Sequence, residues 1–276
     1  MNIPKILYTI VLLAGPALGS FRPQAALTPK VFLIACPLVF LAGFVDAIGG
    51  GGGLISLPAY LLAGLPPHMA IATNKLSSAC GTTVATVRFA RKGLIDPRFA
   101  LPAVVCALIG SSIGANLSLM MDEAVMERLL LVVLPVAAFF VLNRSLFKDR
   151  ETTAPVTGRT WVVIILSALV IGLYDGLYGP GTGTFLIIAF TVFAGMGIGP
   201  ANGLTKSINL TTNLTSLTIF FLNGQVIFLL GIAAGLCNML GSYLGSGLAM
   251  KRGAAVVRPI ILVVLCLLFI KILTGN

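Results

Sequence analysis

The sequence predicts an all-α integral membrane protein made of two inverted-topology repeats, each with about five apolar segments. Of its 276 residues, 58% are apolar and only 9% are charged, and the mean hydropathy is +1.05. A soluble domain carries about a quarter charged residues, so the composition excludes a large soluble domain. The repeats are expected to contribute glycine-broken or re-entrant helices that meet near the midplane of the membrane.

The apolar segments follow one another along the whole chain. They are Ile6–Leu18, Val31–Ile48, Leu54–Leu65, Met69–Phe89, Phe99–Met121, Val125–Leu142, Trp161–Leu177, Thr184–Ile198, Ala201–Leu222, Val226–Met250 and Ala255–Ile270. About 20 residues are needed to cross a bilayer core, so Leu54–Leu65 and Thr184–Ile198 are short. These two runs hold equivalent places in the two halves, and their length leaves open whether they cross the membrane or fold back.

Four parts of the chain are predicted. Residues 1–30 form an N-terminal apolar segment, 31–142 the first transmembrane repeat, 143–160 a basic cytoplasmic linker and 161–276 the second repeat. The stretch Met1–Ser20 resembles a cleavable signal in its short apolar core and its Ala-Leu-Gly-Ser exit. An additional short helix is the favoured interpretation of it.

The repeat is visible as residues that recur 131 positions apart. Lys75 matches Lys206, Cys106 matches Cys237 and Gly114 matches Gly245 at this spacing. The glycine run Gly49–Gly53 faces Gly179-Pro-Gly-Thr-Gly183 with a slip of one residue, and an aspartate shortly precedes each of them.

Loop charge predicts that the two repeats run in opposite directions. The basic loop Arg91–Arg98 places the start of Phe99–Met121 in the cytoplasm, because cytoplasmic loops are enriched in Lys and Arg. The equivalent segment Val226–Met250 follows an uncharged loop and ends at the basic Lys251-Arg252. Inverted repeats are typical of secondary transporters, whose substrate site lies at the repeat interface. The net charge of +10 belongs to this loop pattern and does not indicate a nucleic-acid partner.

The polar stretch that begins at Asp46 is predicted to be a broken helix at a buried site. Five consecutive glycines, Gly49–Gly53, disfavour a helix by about 1 kcal/mol each. Irregular backbone at membrane depth survives only where it is buried in protein or lines a polar cavity. The matching break follows Asp175.

Four charges lie inside apolar segments at matched positions, namely Asp46, Asp175, Lys75 and Lys206. A charge at a helix centre costs at least about 2.5–3.5 kcal/mol, so such residues indicate function. The alternative is structural, with Asp46 paired to Lys75 and Asp175 paired to Lys206 within each half. Both interpretations can hold together.

An anion-binding site is the hypothesis that unites these features. Lys75 and Lys206 each lie about 9 Å into their segments from opposite faces, at 1.5 Å per residue, so their side chains could converge. Helix N-termini after the glycine breaks would add backbone N–H donors and a partial positive charge. The residues expected to bind substrate are Lys75, Lys206, Asn74, Thr205, Asn209, Gly51, Gly52, Gly53, Gly181, Thr182 and Gly183.

Further donors are available on the same two segments: Thr73, Ser77, Ser78, Thr212 and Asn213. For any single one of them, hydrogen bonding between helices is the simpler role. Asp46 and Asp175 are expected to take part in proton coupling or to position the lysines. No catalytic residue, metal site or cofactor is expected.

The motifs carry a family resemblance. Gly43-Phe-Val-Asp-Ala-Ile-Gly-Gly-Gly-Gly-Gly-Leu-Ile-Ser-Leu-Pro58 with Ala72-Thr-Asn-Lys75 resembles the first half of the sulfite exporter TauE/SafE family. Gly172-Leu-Tyr-Asp-Gly-Leu-Tyr-Gly-Pro-Gly-Thr-Gly183 with Leu204-Thr-Lys206 is similar to its second repeat. The resemblance spans roughly residues 31–273. It implies a bacterial inner-membrane protein that moves sulfite, sulfoacetate or another organosulfonate.

The resulting expectation is a secondary transporter that exports a small sulfur oxyanion, with sulfite as the first candidate and the coupling to protons left open. Its partners would be that anion, protons and membrane lipids, and a homo-oligomer is compatible with the sequence. An organosulfonate carrier and a passive anion channel stay open as alternatives. A membrane-embedded enzyme would need a nucleophile–base pair or metal ligands in the apolar segments. It is disfavoured, because the single histidine lies outside these segments and neither half holds a pair of carboxylates in them.

Overall fold

The computed structural model describes residues 27–142 and 155–250, and this part of the chain is helical without strands. Its helices are α1 Pro29–Gly49, α2 Gly53–Leu62, α3 Pro67–Arg91, α4 Pro97–Met120, α5 Glu123–Leu142, α6 Gly158–Leu177, α7 Thr182–Ile188, α8 Ile198–Leu222 and α9 Phe228–Ala249. Helix α7 continues as a π-helical turn over Ala189–Phe193. The predicted N-terminal segment Met1–Ser20, most of the basic linker and the last apolar run Ala255–Ile270 lie outside the described residues.

Four of the described helices are long and apolar enough to cross a membrane: α1, α4, α6 and α9. At 1.5 Å per residue, the ten residues of α2 extend only about 15 Å, half of a bilayer core of about 30 Å. Helix α7 with its π turn is similarly short. Neither short segment can therefore cross the membrane alone.

Glycines allow the long helices of one half to pack closely on those of the other. Helix α4 packs along α6, and α9 packs along α1. A Cβ atom at Gly110 of α4 would overlap the carbonyl oxygen of Leu169, and one at Gly241 of α9 would overlap that of Phe40. The backbones approach this closely only because both positions lack a side chain.

The outer faces of these helices carry exposed apolar side chains. Leu101 on α4 is 69% exposed, and Leu240 on α9 is 63% exposed. Side chains of this kind are suited to lipid. Helices α3 and α8 pack on each other, and the Thr86 hydroxyl of α3 donates to the Lys206 carbonyl of α8 at 3.1 Å.

Candidate functional site

The two glycine breaks meet at the centre of the molecule. A Cβ atom on Gly183 would lie 2.8 Å from the Cα of Gly50, and one on Gly53 would lie 3.0 Å from the Cα of Pro180. Gly50 and Gly181 adopt left-handed backbone conformations, with φ of +74° and +83°, which glycine adopts without steric cost. The sequence thus interrupts both helices where their backbones touch.

Each buried lysine forms an ion pair with the aspartate of the other half. Lys75 Nζ lies 3.1 Å from Asp175 Oδ1, and Lys206 Nζ lies 3.1 Å from Asp46 Oδ2. The side chains of Lys75 and Asp175 are 2% and 6% exposed, and those of Lys206 and Asp46 are 0% and 23% exposed. The structural alternative, in which Asp46 pairs with Lys75 and Asp175 pairs with Lys206 within each half, is therefore wrong.

The pairing crosses because each lysine reaches the end of a broken helix in the other half. Lys75 Nζ donates to the Asp175 carbonyl at 2.5 Å, near the C-terminus of α6. Lys206 Nζ donates in the same way to the Asp46 carbonyl in the last turn of α1. The final carbonyls of a helix lack partners within the helix and carry partial negative charge. A lysine placed there stabilises both the carbonyls at the helix end and the aspartate carboxylate.

Both aspartates also accept hydrogen bonds from the breaks that follow them. The backbone N–H of Gly52 donates to Asp46 Oδ1 at 3.3 Å. The hydroxyl of Thr182 donates to Asp175 Oδ1 at 2.8 Å. Two of the donors predicted for a substrate anion are thus bonded to carboxylates of the chain itself.

A polar cavity of about 30 Å³ lies beside the breaks. A water needs about 10–15 Å³ on this scale, so the space suits a small group of atoms. Its walls are Ala42, Asp46, Gly51, Gly52, Gly53, Ser56, Asn74, Lys75, Ser78, Thr82, Asp175, Gly179, Gly181, Thr182, Gly183, Asn209, Asn213 and Asn238.

Most residues predicted for the site line this cavity, and two do not. Lys206 is fully buried and paired with Asp46, which does line the cavity. Thr205 is also buried, and its hydroxyl has no hydrogen-bond partner in the described part of the chain. The two lysines consequently do not share one cavity wall as the depth argument suggested.

Three polar lining residues escaped the sequence reasoning: Ser56, Thr82 and Asn238. Asn238 had a usable signal, because it is the single carboxamide in the apolar run Val226–Met250. A polar amide in such a run needs a partner inside the protein. Ser56 and Thr82 had no comparable signal, since hydroxyls at such positions commonly bond the carbonyl four residues earlier, as both do here.

Membrane-spanning helices around paired buried charges and broken helices define a membrane transport protein. Comparison with known families makes this specific. The model described as "Sulfite exporter TauE/SafE" matches residues 35–272, and the chain belongs to that family. It is accordingly a multi-pass protein of the bacterial inner membrane.

Relatives of the chain carry transporter names. It is 34% identical to "Probable membrane transporter protein ORF9" of Sinorhizobium sp., covering 85% of this chain and 89% of the relative. It is 32% identical to a "Probable membrane transporter protein" of Haemophilus influenzae, covering 81% and 87%. It is 30% identical to the similarly named YfcA of Escherichia coli, covering 92% and 94%. These names describe transporters and not enzymes, and no solved structure gives a significant match.

Proposed function

We propose that this protein is a secondary transporter that exports sulfite, or another small sulfur oxyanion, across the inner membrane with proton coupling. The observation that carries the proposal is the set of two crossed ion pairs at the glycine breaks, beside a polar cavity lined by Lys75 and both aspartates. The family description supplies the substrate class.

An inverted repeat of residues 31–142 and 161–276 underlies the proposed transport cycle. The inverted repeat is supported by equivalent contacts between matched helices of the two halves. Helix α4 packs on α6 as α9 packs on α1, and α3 and α8 begin and end 131 residues apart. Such repeats allow two related conformations, each open to one side of the membrane.

Charge balance is the argument for proton coupling. The lysines and aspartates of the two pairs sum to zero, so the site without substrate is neutral. An incoming anion competes with the carboxylates for Lys75 and for donors such as Thr182. Protonation of one aspartate would free a lysine and offset one charge of the anion, so anion and proton are expected to bind together.

The net charge that crosses the membrane favours outward movement of the anion. A dianion such as sulfite that travels with one proton carries one net negative charge. The inside-negative membrane potential drives this charge outward with about 2.3 kcal/mol per 100 mV. Export therefore needs no other energy source than the potential and the sulfite gradient.

Cavity size bears on which anion is carried. About 30 Å³ holds the oxygens of a small inorganic oxyanion more readily than the carbon chain of taurine or sulfoacetate. The proposal is therefore sulfite ahead of an organosulfonate. In this scheme Lys75 contacts the anion, and Lys206 holds Asp46 until that carboxylate is protonated.

The test is uptake of radiolabelled sulfite into proteoliposomes with imposed pH and potential gradients. Lys75→Ala is expected to weaken sulfite binding at least about 30-fold, because truncating a buried charge partner costs about 2–5 kcal/mol. Lys206→Ala should also abolish transport. Lys92→Ala, which removes an exposed cation, serves as the control and should transport normally.

Asp175 would be left unpaired in the Lys75→Ala variant, so Lys75→Ala/Asp175→Asn is made as well to keep the buried site neutral. A folded double variant without sulfite binding supports the proposal. Normal transport by both lysine variants would refute the anion site. Sulfite flux that never runs uphill would identify a passive channel, and flux of taurine or sulfoacetate in place of sulfite would change the substrate.

A further inference from the structure

Asn238 is a buried carboxamide in the cavity wall that the ion pairs do not account for. It belongs to α9, which contributes no other residue to that wall, and it is only 4% exposed. It stands beside the part of the wall formed by α1 and α3.

Two glycines make room for this carboxamide. A Cβ atom on Gly43 of α1 would lie 2.5 Å from Asn238 Oδ1, and one on Gly81 of α3 would overlap that oxygen. Real Cβ atoms do not come this close to an oxygen. The amide therefore occupies a slot between α1 and α3 that any larger residue at either glycine would close.

A serine one turn further along α9 fixes the orientation of the amide. The Ser242 hydroxyl donates to Asn238 Oδ1 at 3.2 Å and also lies 3.3 Å from the Gly43 carbonyl. A carboxamide offers an acceptor oxygen and an NH₂ group with two donors. Because Ser242 bonds the oxygen of the carboxamide, the NH₂ group is the part that can donate a hydrogen bond to a ligand.

The other half of the chain does without such an amide. At the spacing of 131 residues, Ala107 stands for Asn238, and Thr212 stands for Gly81. Gly172 of α6 packs directly on the backbone of α4 at this place, since a Cβ atom on Gly172 would lie 3.1 Å from the Cα of Ala107. Helix packing alone therefore does not require an asparagine at this place.

We infer that Asn238 is a specificity-determining residue of the anion site, whose NH₂ group donates to an oxygen of the bound oxyanion. This inference rests on the proposed function. A site built to hydrogen-bond a ligand oxygen discriminates against analogues that lack one there. An anion that carries an alkyl group in place of that oxygen leaves the amide unpaired and also meets its bulk.

The test compares uptake of sulfite and of methanesulfinate, in which a methyl group replaces one sulfite oxygen, by the full-length protein in proteoliposomes. Asn238→Ala should weaken sulfite transport about 10- to 100-fold, the range for a lost hydrogen bond to a charged group. It should also raise the ratio of methanesulfinate to sulfite uptake, because the space that Asn238 filled can then accept the methyl group. Asn202, a buried asparagine of α8 that does not line the cavity, provides the matched control. Asn202→Ala should lower both uptakes in proportion to the folded protein and leave their ratio unchanged.

Asn238→Asp keeps the size of the side chain and replaces the donor with a carboxylate. Sulfite uptake by this variant should be lower than that of Asn238→Ala at neutral pH and should recover in acid, where the introduced carboxyl is protonated. An unchanged uptake ratio in Asn238→Ala, with normal sulfite transport by the wild type, would overturn this inference alone. No sulfite transport by the wild type would overturn the proposed function and this inference with it.

Discussion

The crossed ion pairs make a prediction that double-mutant cycles can test without any knowledge of the substrate. Neutralising both members of a real pair should be less harmful than the sum of the single changes. The cycles use Lys75→Met with Asp175→Asn, and Lys206→Met with Asp46→Asn. Cycles that combine Lys75 with Asp46, and Lys206 with Asp175, test the pairing within each half.

The structure gives the expected sizes. At 3.1 Å and an effective dielectric constant of about 20, two unit charges attract by about 5 kcal/mol before desolvation is subtracted. Removing one partner of a buried pair costs about 3–5 kcal/mol, and coupling energies of contacting residues are about 0.5–3 kcal/mol. The Lys75–Asp175 pair should lie near the top of this range. The Lys206–Asp46 pair should couple more weakly, towards about 1 kcal/mol, because the Asp46 side chain is 23% exposed.

The assay is unfolding in mixed micelles with a rising fraction of sodium dodecyl sulfate. Trp161 is the single tryptophan of the chain and packs on Phe99 with ring centroids 5.0 Å apart, so its fluorescence reports the contact between α6 and α4. The cycles within each half should be additive to about 0.5 kcal/mol. A larger coupling for Lys75 with Asp46 than for Lys75 with Asp175 would refute the crossed arrangement.

Three more predictions concern packing, a helix cap and coupling. Gly110→Ala should destabilise the protein by about 1–3 kcal/mol in the same unfolding assay, as overpacking does, whereas Gly158→Ala, which meets open space, should change stability by less than about 0.5 kcal/mol. Arg98 lowers the pKa of Asp96, the N-cap of α4, so this carboxylate stabilises the fold above its usual unfolded-state pKa and loses that effect as the pH falls through its folded-state value. Asp96→Ala should therefore cost about 1 kcal/mol at neutral pH and less in acid, which unfolding at a series of pH values will reveal. Asp46→Asn or Asp175→Asn should permit downhill sulfite flux that no longer responds to a pH gradient, and an unaltered response in both variants would rule out the aspartates as proton carriers.

Much of the helical framework could be predicted from spacing alone. The matched glycines and lysines set a register of 131 residues, and α3 and α8, Pro67–Arg91 and Ile198–Leu222, keep that register at both ends. Apolar length also indicated that the segments of α2 and α7 are short, although it left open whether they cross the membrane. These features follow from local composition and from the thickness of the bilayer, both of which a single sequence contains.

Partner choice among the buried charges could not be predicted in this way. The sequence suggested ion pairs only within each half, as the structural alternative to a functional role. Each lysine instead lies on a helix that crosses to the other half and meets the end of a broken helix there. Sequence distance carries no information about contacts made across such an interface. The partial negative charge at the helix C-termini favours a lysine there, and only the three-dimensional structure shows which lysine reaches which helix end.

The crossed pairs also bear on how an anion could move the protein. Each pair joins the two halves, so neither half is electrically satisfied alone. On the proposed function, an anion that displaces the carboxylate from Lys75 weakens one electrostatic contact between the halves and leaves the other intact. The two ion pairs already differ in strength before the anion binds, because Asp46 is more exposed than Asp175. A carrier that opens to one side at a time needs such an inequality between its two contacts. The free energy of anion binding must then favour separation of the two halves at one end of their interface over the other end.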